Sequence, residues 1–348
     1  MGEKNYRIIH NIDDIKINSV DSIISDVRND SEMALDKETW KKAYRVIKPG
    51  AYMLILSGNR LSHRICCAIE DGGFEIKDSI MWIYKSNRID LQPDYCNIVV
   101  ARKPTELSVL DNIDLYGIGG INIDACRVGN ESRTMPINST DTKSDDSIFT
   151  ELHKNIQRER VATNQGRFPA NVILTYGDDD KDLVCGGFPI SGQSNSTGQP
   201  YNYSGRVYDN ADTSMFNGDK PQAPSNYNDV GSASRYFYNA ERSRKDGDYN
   251  LPVNLIQYLV KLVNPRSSSI LDLCMGSGEV GKAVLYENKE NNSDYTYIGM
   301  TKSNYPTLDT ENIFEYINSI KIEQDIIKMD ESKVEQKLER KLKQTKLF

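Results

Sequence analysis

The sequence predicts an α/β protein: a Rossmann-like, doubly wound sheet interrupted by a large insertion. Three observations carry this. Strand and helix patterns alternate through the first hundred residues, a strand running into a glycine loop recurs near the C-terminus, and a long polar tract separates the two. With 348 residues the chain exceeds one average domain, which suits either two lobes or one domain with an insertion.

Residues 20–25 (VDSIIS) form a short apolar run that predicts a strand. A helical pattern follows over 38–46 and stops at Lys48-Pro49-Gly50, read as a breaker. Residues 51–57 (AYMLILS) are continuously apolar and bounded by glycine, as expected of a strand buried on both faces, and 62–70 predicts a helix ending before Gly72-Gly73. Strands are expected over 76–84 (IKDSIMWIY) and 96–101 (CNIVVA). The second half of the sheet is expected after the polar tract. There, 251–263 is an amphipathic helix, 269–273 a strand entering the glycine loop, 280–286 a helix and 295–299 another strand.

These patterns divide the chain into 1–108, the first half of the sheet; 109–248, an insertion; 249–325, the second half; and 326–348, a charged helix and tail. Within the insertion the Ser/Asn/Gly/Tyr-rich stretch near 192–230 offers little apolar surface to bury and predicts a loop that orders on a partner.

Composition narrows the function classes. Hydrophobic residues make up 38% and charged residues 27%, ordinary for a globular protein. No apolar run is long enough to span a bilayer and the first residues lack a signal-peptide pattern, so the cytoplasm is the expected location and no membrane partner is expected. Six cysteines without a CxxC pair and three scattered histidines give no metal-ligand spacing, so no metal is expected. The net charge of −7 opposes nonspecific coating of nucleic acid and leaves room for a local basic groove.

In the glycine loop, Asp272 stands at a strand end, with Gly276, Ser277 and Gly278 in the turn before a helix, an arrangement that lets backbone approach a nucleoside cofactor closely. A tight strand-to-helix turn without a ligand would have the same sequence. Further blocks extend the comparison: YRVIKPG (44–50), LILSGNRLSHR (54–64, with His63-Arg64), AIEDGGFEIKDSIMW (68–82), NIVVARKP (97–104), GGINIDACRV (119–128), GRFPANVIL (166–174), RYFYNAERS (235–243) and LDLCMGSG (271–278). In this order they resemble the phage and prophage DNA N6-adenine or N4-cytosine methyltransferases whose catalytic segment precedes the cofactor segment. The resemblance implies a methyltransferase sheet, a target-recognition-like insertion, double-stranded DNA as partner and S-adenosylmethionine as cofactor. It also implies DNA contacts from Arg102, Lys103, Arg167, Arg235 and Arg242 in the matching blocks and their flanks.

The same resemblance exposes departures at the places where chemistry is done. Such enzymes carry Asp-Pro-Pro-Tyr after the first strand. The carboxylate and a neighbouring carbonyl accept the two protons of an exocyclic amine, while the ring stacks on the flipped base. The corresponding residues here are Asp26, Val27, Arg28 and Asn29. Arg28 either pairs with Asp26 or sets a cation where the sulfonium donor must sit, and both oppose transfer. Asp-Pro-Phe before the glycine loop has become Asp272-Leu273-Cys274, the acid that would hold the ribose is replaced in Met300-Thr301, and His-Pro-Thr-x-Lys-Pro has become Asp248 to Asn254.

Gln344, Leu347 and Phe348 at the C-terminus look like the Gln-x-x-Leu-Phe peptide that docks on a sliding clamp, with the apolar pair filling a pocket. A frayed terminus has the same composition. The leading expectation is therefore a catalytically degenerate pseudoenzyme that binds DNA, protein or both, linked through its tail to a clamp or to replication or transcription machinery. An active methyltransferase with an atypical motif or a completing partner subunit stands as the alternative, and a purely protein-binding module is the third reading.

Overall fold

The computed structural model describes residues 5–86, 91–129, 133–136, 160–163, 166–191, 231–243, 251–301, 312–315 and 317. The segments 192–230 and 331–343 and the tail residues Gln344, Leu347 and Phe348 lie outside them.

In chain order the elements are β1 (Tyr6–Ile9), β2 (Val20–Asp26), α1 (Ser31–Leu35), α2 (Lys37–Val46), β3 (Ile47–Leu56), α3 (Ser62–Asp71), β4 (Glu75–Tyr84), β5 (Asp94–Arg102) and α4 (Val109–Tyr116). There follow β6 (Arg133–Pro136), β7 (Arg160–Thr163), β8 (Val172–Thr175), α5 (Lys181–Cys185), β9 (Ile190–Ser191), β10 (Gly231–Ser232) and β11 (Tyr238–Asn239). The last are α6 (Val253–Val263), β12 (Ser269–Asp272), α7 (Glu279–Asn291) and β13 (Thr296–Met300).

Nine strands form one sheet in the order β1-β13-β12-β2-β3-β5-β4-β8-β11. Only β5 opposes the others: it pairs antiparallel with β3 and β4, while every other neighbouring pair is parallel. Alternate residues of the central strands feed two cores, as a period of two requires. Ile24, Leu54, Leu56 and Ile270 pack beneath α6 and α7, whereas Ile23, Met53, Ile55 and Leu271 pack against α2 and α3. Helices on both faces explain why the central strands read as continuous apolar runs. The α/β Rossmann-like fold expected from the sequence is the one observed.

Four differences have physical causes. Lys48-Pro49-Gly50 lies inside β3 instead of breaking the chain. The β2–β3 ladder pairs Val20 with Ile47 and next Ser22 with Tyr52, so the proline and glycine fall in a bulge where no regular ladder bond is needed. Gly50 adopts φ +76° there, and a Cβ on it would meet the buried Asn112 amide at 2.4 Å. β1, too short for its pattern to be read, pairs parallel with β13. Part of the tract expected as insertion joins the sheet, β8 pairing with β4 and β11 with β8; each brings only two to four residues, too few to show a periodicity in the sequence. Finally, α7 runs five residues past the expected end at 286, carried by polar residues such as Glu287 and Asn288 that are buried and hydrogen-bonded.

Candidate active site

The carboxyl ends of the parallel strands gather at one edge of the sheet. From β12 the chain winds through α7 to β13 on one side, and from β2 through α1 and α2 to β3 on the other, so β12 and β2 flank the point where winding reverses. Open α/β sheets bind ligands at that crevice. Asp272 ends β12 and Asp26 ends β2, which places the two expected acids on neighbouring strands. Ser25 ties the strand ends together by accepting from the Leu273 amide at 2.7 Å.

Asp26 is held by Arg28. The Arg28 Nε donates to Oδ1 at 2.8 Å and Nη2 to Oδ2 at 2.6 Å, and the Arg28 backbone amide adds a third bond to Oδ1 at 3.1 Å. The fork is shielded, with side-chain exposures of 19% for Arg28 and 15% for Asp26. The guanidinium carbon lies 5.4 Å from the centre of the Trp82 ring, which stacks on Tyr84 at 4.3 Å. Burial opposes the charge on Arg28, but the hydrogen bonds and charge of Asp26 outweigh it and raise its pKa. The same burial raises the Tyr84 phenol and pushes the Cys96 thiol up to about 11, in both cases against the pull of Arg28. Val27 is buried and its carbonyl accepts from the Asp30 amide at 3.1 Å, while Asn29 is exposed.

In the glycine loop, Asp272 is fully buried. It accepts from the Cys274 amide at 3.1 Å and the Tyr297 hydroxyl at 3.0 Å, and burial pushes its pKa up to about 7 against those bonds. Gly276 and Gly278 take φ of +52° and +86°, conformations that favour glycine, and the loop feeds α7 with Ser277 beside Glu279 at 3.4 Å. At the end of β13, where the resemblance implies an acid, Thr301 is buried and its amide donates to the Ile9 carbonyl at 2.9 Å.

Beside the fork opens a cleft of about 180 Å3 at the carboxyl ends of β4 and β8, lined by Trp82, Tyr84, Thr175, Tyr176, Glu241 and Arg242 among others. Trp82 Nε1 donates to Thr175 Oγ1 at 2.9 Å, which in turn donates to the Ala240 carbonyl at 2.9 Å. Sequence reasoning missed Trp82 and Tyr84 as site residues; the available signal was their shared face in the period-two run 76–84.

The five basic residues expected on DNA do not converge. Lys103 is a correction: it is buried, and its ammonium donates to Asn18 Oδ1, the Tyr44 carbonyl and the Ile47 carbonyl at 2.7 to 2.8 Å. Arg102 pairs opposite Tyr52, four residues down β3 from Leu56, and donates to the Gly50 carbonyl at 2.9 Å. At roughly 3.3 Å per residue both sit at the far end of the sheet from Asp26. Their charges pin the β3 bulge. Arg167 and Arg235 instead meet at Tyr236, with guanidinium carbons 3.8 and 4.4 Å from its ring centre, and Arg242 lines the cleft. Among the described residues no group of His, Cys, Asp and Glu could hold a metal ion, and no helix is long and apolar enough to cross a membrane.

Residues 30–326 match the family model described as DNA methylase, of the N6 and N4 amino type. The match begins immediately after Asn29. No curated protein matches the chain. Among solved structures the chain is similar to M1.HpyAVI, at 14% identity over 90% of this chain and 99% of that one, with a TM-score of 0.42. It is similar to TTHA0409 of Thermus thermophilus at 11% identity, covering 90% and 96%, TM-score 0.44. The cytosine-N4-specific PvuII DNA methyltransferase shares 9% identity over 90% and 92% of the two chains, TM-score 0.39.

Proposed function

Because the chain belongs to the N6/N4 DNA methylase family, we propose that it keeps the family's sheet and its DNA-directed role but has lost methyl transfer, acting as a DNA-binding pseudoenzyme. The Asp26–Arg28 fork carries this reading. Both oxygens of the carboxylate that would receive a proton of the target amine already accept from a guanidinium, and the Val27 carbonyl that would receive the other already accepts from an amide. A base would have to displace a shielded, charge-assisted pair before any proton could move.

The donor set does not suit S-adenosylmethionine either. Asp272 turns its oxygens inside the protein, and the end of β13 presents Met300 and buried Thr301 where ribose hydroxyls would need a carboxylate. In its place the chain offers duplex DNA a scaffold with cationic side chains, the expected contacts now being Arg167, Arg235 and Arg242. The tail residues Gln344, Leu347 and Phe348 are assigned to a sliding clamp or to replication or transcription machinery, and their deletion is expected to abolish clamp pull-down. The cytoplasm, of the host if the gene is phage-borne, is the compartment this role requires.

Duplex titration across a salt series, with calorimetric titration of S-adenosylmethionine alongside, tests the reading. Expected are duplex binding that weakens steeply with salt, through release of counterions from phosphates, and no heat from millimolar cofactor. Binding of neither, or micromolar binding of the cofactor, contradicts it. One observation favours the alternative of an active enzyme with an atypical site: a Cβ built on Gly276 would meet nothing closer than the Cys274 carbonyl at 3.9 Å, so the glycine loop retains the room a cofactor needs. That alternative requires methyl label on DNA that disappears in Asp26→Ala.

A further inference from the structure

Away from the fork, arginines and aromatic rings interleave where the segment before β8 meets the segment before β11. Arg127 lies over the Phe168 ring at 4.6 Å and is fixed there by its Nε bond to Asp124 at 2.8 Å. The neighbour of that ring in sequence, Arg167, exchanges two backbone hydrogen bonds with Val128 at 2.7 and 3.0 Å and stacks on Tyr236. Arg235 lies over the same Tyr236 ring and is held by bonds to the Ser232 carbonyl and the Tyr236 hydroxyl, both at 2.7 Å. The guanidiniums of Arg127 and Arg235 are thus held by hydrogen bonds, and Phe168 is 55% exposed despite its size.

An exposed ring backed by a cation offers a face on which a flat partner can stack. Bases inside a duplex present no face to such a ring; an unpaired base does, and its backbone brings phosphates for the neighbouring guanidiniums. Alternating cationic and aromatic surface matches a nucleic acid better than an apolar groove would. We propose that Phe168, with Arg127 behind it, is a platform for an unpaired base of DNA, so that the protein prefers duplexes containing a bubble or single-stranded gap. This rests on the DNA-binding reading above and names the DNA form it takes.

The test compares a fully paired duplex with the same duplex carrying an unpaired central stretch, for the wild-type chain, Phe168→Ala and Phe168→Tyr, each confirmed folded by its thermal melt. Expected is tighter binding of the bubble by the wild type, a loss of roughly tenfold for Phe168→Ala on the bubble alone, and retention by Phe168→Tyr, as a single base stack predicts. Equal affinity of wild type and Phe168→Ala for the bubble, or an equal loss on both DNAs, overturns the platform and leaves the DNA-binding reading standing. If neither DNA binds the wild type, the broader reading falls and the platform with it.

Discussion

Tyr297 donates its hydroxyl to Asp272 Oδ2 at 3.0 Å, and neither side chain reaches solvent. The bond ties the end of β12 to the start of β13 and directs the acid of the glycine loop inward. Burial still dominates that carboxyl and holds its pKa near neutrality, pushed up to about 7.

The consequence for stability has a definite sign. A carboxyl whose pKa is higher folded than unfolded favours the folded state fully below the unfolded value near 4, and that contribution is lost as pH rises through about 7. Asp272→Asn, which cannot ionise, is expected to flatten the fall in melting temperature between pH 5 and pH 8. The difference at the upper end is on the order of 3 kcal/mol. Parallel pH profiles for wild type and variant would contradict it.

Arg28 and Asp26 should be strongly coupled. Each alanine substitution alone strands a shielded charge or acceptor, and a double-mutant cycle is expected to return an interaction of about 1 to 3 kcal/mol in urea melts. Because the pair is largely shielded from water, the coupling should persist at high salt. A coupling near zero would mean that the fork does not form in solution.

Lys103→Met is expected to destabilise the fold by about 3 kcal/mol, since three oxygens lose an ammonium partner. Its affinity for duplex DNA, measured on the folded protein, should not change. A weakened salt slope with unchanged stability would restore Lys103 to the DNA surface.

Gly50→Ala should be among the most damaging single changes, because the φ of +76° disfavours any side chain and the added methyl collides with Asn112. A loss of about 2 to 4 kcal/mol is expected by thermal melt. Asn112 bonds the Pro49 and Ile118 carbonyls, so its movement would open the bulge as well.

Much of this architecture was legible in the sequence where burial dictates pattern. The apolar runs of β2 and β3, and the glycine loop ahead of α7, declare themselves because a strand covered on both faces must be apolar throughout and a tight turn needs glycine. Val27, Arg28 and Asn29 after Asp26 were also readable as departures from the resembled motif, and the observed pairing of Arg28 with Asp26 is one of the two outcomes the sequence left open. Other pairing in space was not legible. β8 and β11 are too short to show a period, Lys103 gives no local sign that it points into the β3 bulge, and the approach of Trp82 to Arg28 depends on strand order across β3 and β5.

The most direct measurement is transfer of labelled methyl from S-adenosylmethionine to a duplex that the protein demonstrably binds, counted over many turnovers' worth of time. A degenerate site predicts bound DNA carrying no label above the protein-free background. Label that accumulates with the wild-type chain and vanishes in Asp26→Ala would contradict it, and would mean that the Arg28 fork opens when DNA arrives.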